Sequence, residues 1–360
     1  MAGNDPRRSR LLALFKVGLL SFSVLFSLVF AELAVRVVAP QPKSWLAIYQ
    51  RDPARPVYDM LPSKDLHVDT GETQWDILTD ENGFRFDPEL RESKDCKLLW
   101  LGDSYAFGHG VDYAESFVGL VDERLPEIET TNAAVSGYGP TQYRQQLEHV
   151  IEQGRTFDFL VVATYVGNDF HDTKWEKNLV VADGILGNEN DLKSLLMRNL
   201  HLYRLGASVY HRFSPRREAP YRKIIEQLAR PDAWQEPFLA DARSIYQQEM
   251  GRILELGRQQ GAEVRFVILP TRHAVASEHR GESPEAERGE ARPMLPIENA
   301  AQIFETLGGR YVDVTPAIAE SSPSEMFFQF DGHFTQAGSI RAADAILDAF
   351  AIECAESTDG

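Results

Sequence analysis

Cysteine is scarce in this chain: 360 residues hold two, Cys96 and Cys354, which excludes a metal–thiolate cluster. Positive charge is also short, with 37 Lys and Arg against 54 Asp and Glu and a net charge of −17. Binding a phosphate backbone needs clustered cations, so the balance argues against a nucleic-acid partner. There is no Gly-x-Ser-x-Gly elbow, no His-Glu-x-x-His, no Walker loop and no internal repeat. The remaining composition is globular, 43% hydrophobic, 25% charged and 10% aromatic.

One long apolar run is present, at the N-terminus. Arg7, Arg8 and Arg10 precede an apolar stretch over 11–31 that only Lys16 interrupts, matching the ~20 residues that a bilayer-spanning helix requires. Basic flanks stay cytoplasmic. The reading is therefore a cytoplasmic tail over 1–10, a transmembrane signal-anchor helix over 11–38, and an extracytoplasmic body, periplasmic or at the cell surface. Val29-Phe30-Ala31 allows a cleaved signal peptide instead, but Leu33, Val35, Val37 and Val38 carry the apolar helix past that point.

Residues 39–95 read as a linker and small covering subdomain, broken by Pro42, Pro53, Pro56 and Pro62. Within it, 75–86 has the pattern of two short strands joined through Asp80-Glu81-Asn82-Gly83. From Cys96 onward, apolar strand-like runs (97–101, 129–135, 157–165, 263–269, 310–314) alternate with helical patterns (115–125, 140–153, 240–260, 295–307, 336–354). That alternation predicts a doubly wound parallel sheet filling the main domain, 96–356. An insertion over about 171–237 and a charged stretch over 277–292 interrupt the rhythm; both leave carboxyl ends of strands. Cys96 starts the first strand and Cys354 ends the last predicted helix, placing both at one pole, either as a bridge or as two buried thiols.

Chemistry in such sheets sits beyond the carboxyl ends of the strands. Leu98-Leu99-Trp100-Leu101 runs directly into Gly102-Asp103-Ser104, which puts Ser104 there. A serine nucleophile needs a base, an orienting group for the base, and donors for an oxyanion. Of nine histidines, His333 is best placed, beyond the fifth strand, with Asp331 two residues away. Gly137 follows the second strand and Asn168 the third, where a backbone N–H and a side-chain amide can each donate. Read alone, each is equally a turn or cap residue. Asp169, His171 and Asp172 read as capping the insertion rather than as ligands joining Asp331 and His333, and no metal or cofactor is expected. Arg272, after the fourth strand, faces either an anionic substrate group or a surface carboxylate.

Ser, Gly, Asn and His at the ends of strands one, two, three and five resemble the SGNH (GDSL-type) esterase and lipase family from about residue 82 to 350. Glu32-Leu33-Ala34-Val35-Arg36 and Asn82-Gly83-Phe84-Arg85 are similar to stretches in its membrane-anchored bacterial members. The resemblance implies a flavodoxin-like α/β/α fold with a five-stranded parallel sheet in the order 2-1-3-4-5. It also implies Ser104 as nucleophile, His333 as base and Asp331 as its partner, with Ser104, Gly137 and Asn168 as the oxyanion hole. The activity implied is acyl-ester hydrolysis, on an O-acetylated glycan or a lipid ester. Three positions depart from the family pattern. Tyr105 replaces a leucine, and its side chain is expected to do no chemistry. Val166 stands two residues before Asn168, where a glycine is usual. The last block is Asp-x-His rather than Asp-x-x-His. That short spacing occurs in polysaccharide acetyl-transferring relatives, so a polysaccharide O-acetyltransferase is the alternative; in the alginate-type enzymes, however, Asp-x-His precedes the serine, whereas here it follows. A non-catalytic glycan-binding scaffold is the other alternative.

Overall fold

A computed structural model describes residues 6–41, 46–51, 58–90, 93–173, 179–182, 184–188, 192–213, 219–281 and 291–354. Buried apolar runs form a five-stranded parallel sheet: β1 (Cys96–Gly102), β2 (Ile128–Asn132), β3 (Phe159–Tyr165), β4 (Glu263–Leu269) and β5 (Arg310–Asp313). The spatial order is β2-β1-β3-β4-β5, as expected. Leu98, Leu99, Trp100 and Leu101 are each no more than 2% exposed, because helices cover both faces of the sheet and successive side chains point to opposite ones. The helices Phe117–Arg124 and Gln336–Ala349 pack together, as do Pro140–Glu152, Pro237–Gln259 and Leu295–Leu307.

The second strand stops at Asn132, short of the expected 135. The Asn132 side chain accepts from Ala134 N–H (3.1 Å) and donates to the Ala106 carbonyl (2.9 Å), a local bond that competes with the regular ladder. In the covering segment, Gln74–Leu78 pairs antiparallel with Asp65–Asp69, not with residues beyond Gly83. The Asp80–Gly83 turn closes only a single Thr79–Arg85 bridge. The helix Arg272–His279 reaches into the stretch expected to be a loop, of which 282–290 lies outside the described residues.

The chain packs as two compact units, Met1–Ala47 with Asn178–Pro215, and Ile48–Lys177 with Arg216–Gly360. Only the middle of the expected insertion therefore leaves the sheet unit. The first unit contains helix α1 (Pro6–Val38), the hairpin Leu179–Ala182/Ile185–Asn188, and the helices Leu192–Asn199 and His201–Phe213. Within Leu12–Val38, α1 has an 18-residue apolar window of mean hydropathy 2.2, none of it buried, as a membrane anchor or signal sequence would.

The last helix of the sheet unit ends at Ala349 rather than 354, because Phe350 and Ile352 turn into the core. Cys354, in the irregular tail beyond, forms a disulfide with Cys96 at the start of β1. The bridge closes a loop across a sequence separation of 258 residues, so it strongly restricts the unfolded chain. The double variant Cys96→Ser/Cys354→Ser should lose about 2–4 kcal/mol of stability, read as a lower denaturation midpoint, with a slope no smaller than that of the bridged chain because its unfolded state is less restricted. An unchanged midpoint would show that the bridge contributes nothing.

Candidate active site

Ser104 opens a one-turn helix, Ser104–Phe107, directly after β1. Asp103 caps it, accepting the Tyr105 N–H at 2.9 Å. Asp103 is fully buried, and its second oxygen has no hydrogen-bond partner among the described residues. Burial raises its carboxyl to about 6, against the pull of the Tyr105 N–H and of His333.

His333 arrives on a tight loop. Phe328 N–H donates to the His333 carbonyl (2.9 Å), and Gly332 N–H to the Phe328 carbonyl (3.2 Å). Gly332 has φ +86°, a left-handed conformation that L side chains rarely adopt. That reversal is what lets the short Asp-x-His spacing work: the Asp331 carboxylate meets His333 Nδ1. The opposite ring nitrogen, Nε2, lies 2.7 Å from Ser104 Oγ. A carboxylate can only accept, so Nδ1 carries the proton and Nε2 is left to accept from the Ser104 hydroxyl. Ser104, His333 and Asp331 are thus joined as the sequence predicts.

Gly137 and Asn168 stand beyond β2 and β3, the two strands that flank β1. Gly137 has φ +86°, and a Cβ there would meet the Tyr58 hydroxyl at 2.7 Å, so no other residue fits without displacement. Asn168 is almost fully buried. Its Nδ2 donates to Asp172 at 3.1 Å and its Oδ1 has no partner among the described residues; an amide nitrogen has a second proton to offer. Asp169, in the one-turn helix Asp169–Asp172, accepts the Tyr143 hydroxyl at 2.9 Å. Arg272 donates to the Gln329 carbonyl at 3.3 Å. Among the described residues, the side chains gathered closely enough to ligate a metal are His109, Asp331 and His333.

His109 is absent from the sequence expectations. Its Nε2 lies 3.5 Å from the second Asp331 oxygen, and its ring is 4.6 Å from that of His333 and 5.0 Å from that of Trp75. Burial lowers its pKa despite Asp331, so it is neutral at pH 7 and can offer Asp331 an N–H without adding charge. Its sequence signal was the Gly108-His109-Gly110 turn just past Ser104. Tyr105 also does more than expected. Its hydroxyl donates to the Gly332 carbonyl at 2.8 Å, and its ring lies 4.2 Å from Tyr165 and 4.7 Å from His333. A leucine there would leave the His333 loop without that donor.

The covering segment supplies the remaining fixtures. Glu72, in the turn between Asp65–Asp69 and Gln74–Leu78, accepts the Phe330 and Asp331 N–H groups (each 3.0 Å), and Thr73 Oγ1 donates to the Gly110 carbonyl at 2.7 Å. Arg85, about 1% exposed, donates to the carbonyls of Phe107 (2.6 Å), Val111 (2.7 Å) and Asp76 (3.1 Å). Burial lowers its pKa to about 10, which leaves it charged at neutral pH.

The electrostatics of His333 have a definite sign. Burial disfavours the imidazolium, but the Asp331 carboxylate, its hydrogen bond and Asp103 together outweigh it and raise the pKa above 6.5. Asp331 is held far below the usual carboxylate range: burial opposes ionisation, and His333 and His109 overcome it. In NMR titration the His333 ring should therefore change protonation above pH 6.5, and Asp331→Asn should lower that midpoint. A midpoint at or below the ordinary value in the unaltered protein would contradict this geometry.

Residues 240–358 match a family model described as the SGNH hydrolase-like domain of the acetyltransferase AlgX. No curated protein sequence matches the chain. Similar solved structures include TesA, at 14% identity over 70% of this chain and 97% of that one, with a TM-score of 0.40. Others are a lipolytic G-D-S-L family member from Veillonella parvula (12%, 71% and 98%, 0.39) and the acetylxylan esterase Axe2 from Geobacillus stearothermophilus (14%, 74% and 98%, 0.39). The family match gives the resemblance read from the sequence blocks an independent counterpart: the segment that carries Asp331 and His333 is the one that matches a model of that description.

Proposed function

We propose that this protein is a membrane-anchored, extracytoplasmic serine esterase acting on an acyl ester, an O-acetylated glycan or a lipid ester, through a covalent acyl-enzyme. The carrying observation is the chain of contacts from Ser104 Oγ through His333 Nε2 and Nδ1 to Asp331. Ser104 Oγ attacks the ester carbonyl while its proton passes to His333 Nε2. Asp331 stabilises the imidazolium. The Ser104 and Gly137 N–H groups and the Asn168 amide hold the oxyanion. His333 then gives the proton to the departing alkoxide as the ester C–O bond breaks. Water, deprotonated by the same imidazole, releases the acyl group as the acid and restores the serine. No cofactor enters these steps.

The description of the matching family favours a second reading with the same residues, an O-acetyltransferase in which a glycan hydroxyl replaces water in the last step. An isotopically labelled acetyl donor, supplied with oligosaccharide acceptors, separates the two by whether label is recovered in free acetate or in glycan. On the esterase reading most label appears as acetate.

A fluorophosphonate probe should label the intact protein and not Ser104→Ala. His333→Ala should lower kcat by about 10⁴-fold or more. Absence of labelling, or equal labelling of the serine variant, would leave a binding scaffold without catalysis. Activity should also fall as His333 protonates, with an acid limb centred above 6.5. A profile flat from about pH 4 to 8 would exclude an imidazole base.

A further inference from the structure

The helices Leu192–Asn199 and His201–Phe213 play no part in the chemistry above, yet their composition departs sharply from the rest of the chain. Residues 192–213 contain Lys193, Arg198, Arg204 and Arg212 and no Asp or Glu, in a protein whose net charge is −17. They also expose apolar surface: Leu192 is 66% exposed, Leu195 51%, Val209 49% and Tyr210 64%. Apolar side chains with cationic neighbours on short helices are the pattern of a segment lying in a lipid headgroup layer.

The place where these helices attach fixes their depth. The apolar span of α1, Leu12–Val38, is longer than the ~20 residues that cross the hydrocarbon core, and Glu32 and Arg36 are the first charged residues after Lys16, which sets the last turns of α1 at the membrane boundary. There the Glu32 carboxylate accepts the N–H groups of His201 (3.0 Å) and Leu202 (2.7 Å), capping the second helix. Arg36 donates to the Asn199 carbonyl at 2.6 Å. A turn later, Gln41 N–H donates to His201 Nδ1 (2.9 Å), and Arg204 donates to the Gln41 carbonyl (2.9 Å). The joint between the two helices is therefore tied to the anchor over Glu32–Gln41, at the level of the headgroups.

We propose that Leu192–Phe213 is a membrane-surface module that binds the anionic phospholipid headgroups of the bilayer α1 spans, with Leu192, Leu195, Val209 and Tyr210 inserted at the headgroup–acyl boundary. The anchor sets the depth, the apolar residues fill the boundary, and a segment with four cationic residues and no Asp or Glu is complementary to anionic headgroups. The assignment is independent of the chemistry at Ser104.

The test uses the full-length chain, one copy per lipid nanodisc, spin-labelled at Leu195→Cys or Val209→Cys. Cys96 and Cys354 are already paired and do not compete for the label. Gln259→Cys, on an exposed helix end of the sheet unit, is the aqueous reference. Labels at both test positions should collide with lipid-soluble oxygen rather than with an aqueous nickel chelate, at a depth of about 5–10 Å into the headgroup–acyl boundary. Replacing phosphatidylglycerol by phosphatidylcholine should raise their nickel access. Nickel access equal to that at Gln259, or depth indifferent to headgroup charge, would overturn the proposal. So would exclusion of both reagents with dipolar broadening when two chains share a disc, which would mean that a second copy covers the face.

Discussion

The sheet unit depends on one buried charge. The Arg85 guanidinium is nearly inaccessible to water, and burying an unpaired cation costs several kcal/mol. That cost is offset only while the carbonyls of Asp76, Phe107, Gly108 and Val111 converge on it and the Phe107 ring lies beneath it, 4.8 Å from the cation. Three of these carbonyls belong to the turn that follows Ser104 and the fourth to the covering hairpin. Moving either would strand the charge, so the two behave as one body. The Asn-Gly-Phe-Arg stretch before the first strand thus has a physical reason: its arginine sets the floor under the serine turn.

A second constraint acts on the other loop. Asp331 is shared by two imidazoles, one through each oxygen, while Glu72 holds the backbone N–H groups that precede it and Tyr105 holds the Gly332 carbonyl behind it. Each bond restricts a different freedom: carboxylate rotation, loop height and the approach of the ring to Ser104. A functional constellation of side chains tolerates errors of only about half an ångström, and a short loop with a left-handed glycine would not hold this one unaided. The Asp-x-His spacing is accommodated by this scaffolding, and the usual extra residue is not needed.

The two units rest on different physics. The sheet unit is held by apolar burial on both faces of β1, β3 and β4, closed at its amino pole by the Cys96–Cys354 bridge. In the other unit, α1 buries none of its apolar window, and what organises its C-terminal end is a set of charged and backbone hydrogen bonds around Glu32, Arg36 and Gln41. In water such bonds would contribute little.

Periodicity and order were legible in the sequence, because they are local properties. Short apolar runs alternating with amphipathic stretches carried the parallel sheet, whose strand order came only with the family resemblance; the basic-then-apolar N-terminus carried α1, and Gly-Asp-Ser with Asp-x-His singled out Ser104, Asp331 and His333. What sequence order could not carry were contacts between segments far apart in the chain: Glu72 on the Asp331 loop, Tyr105 on Gly332, and His109 on Asp331. The same limit applied to Gln74–Leu78, whose partner strand lay before it, and to the last helix, whose end is set by burial of Phe350 and Ile352. A residue's own pattern shows which side of an element it faces; which distant group meets it is decided only when the chain is packed.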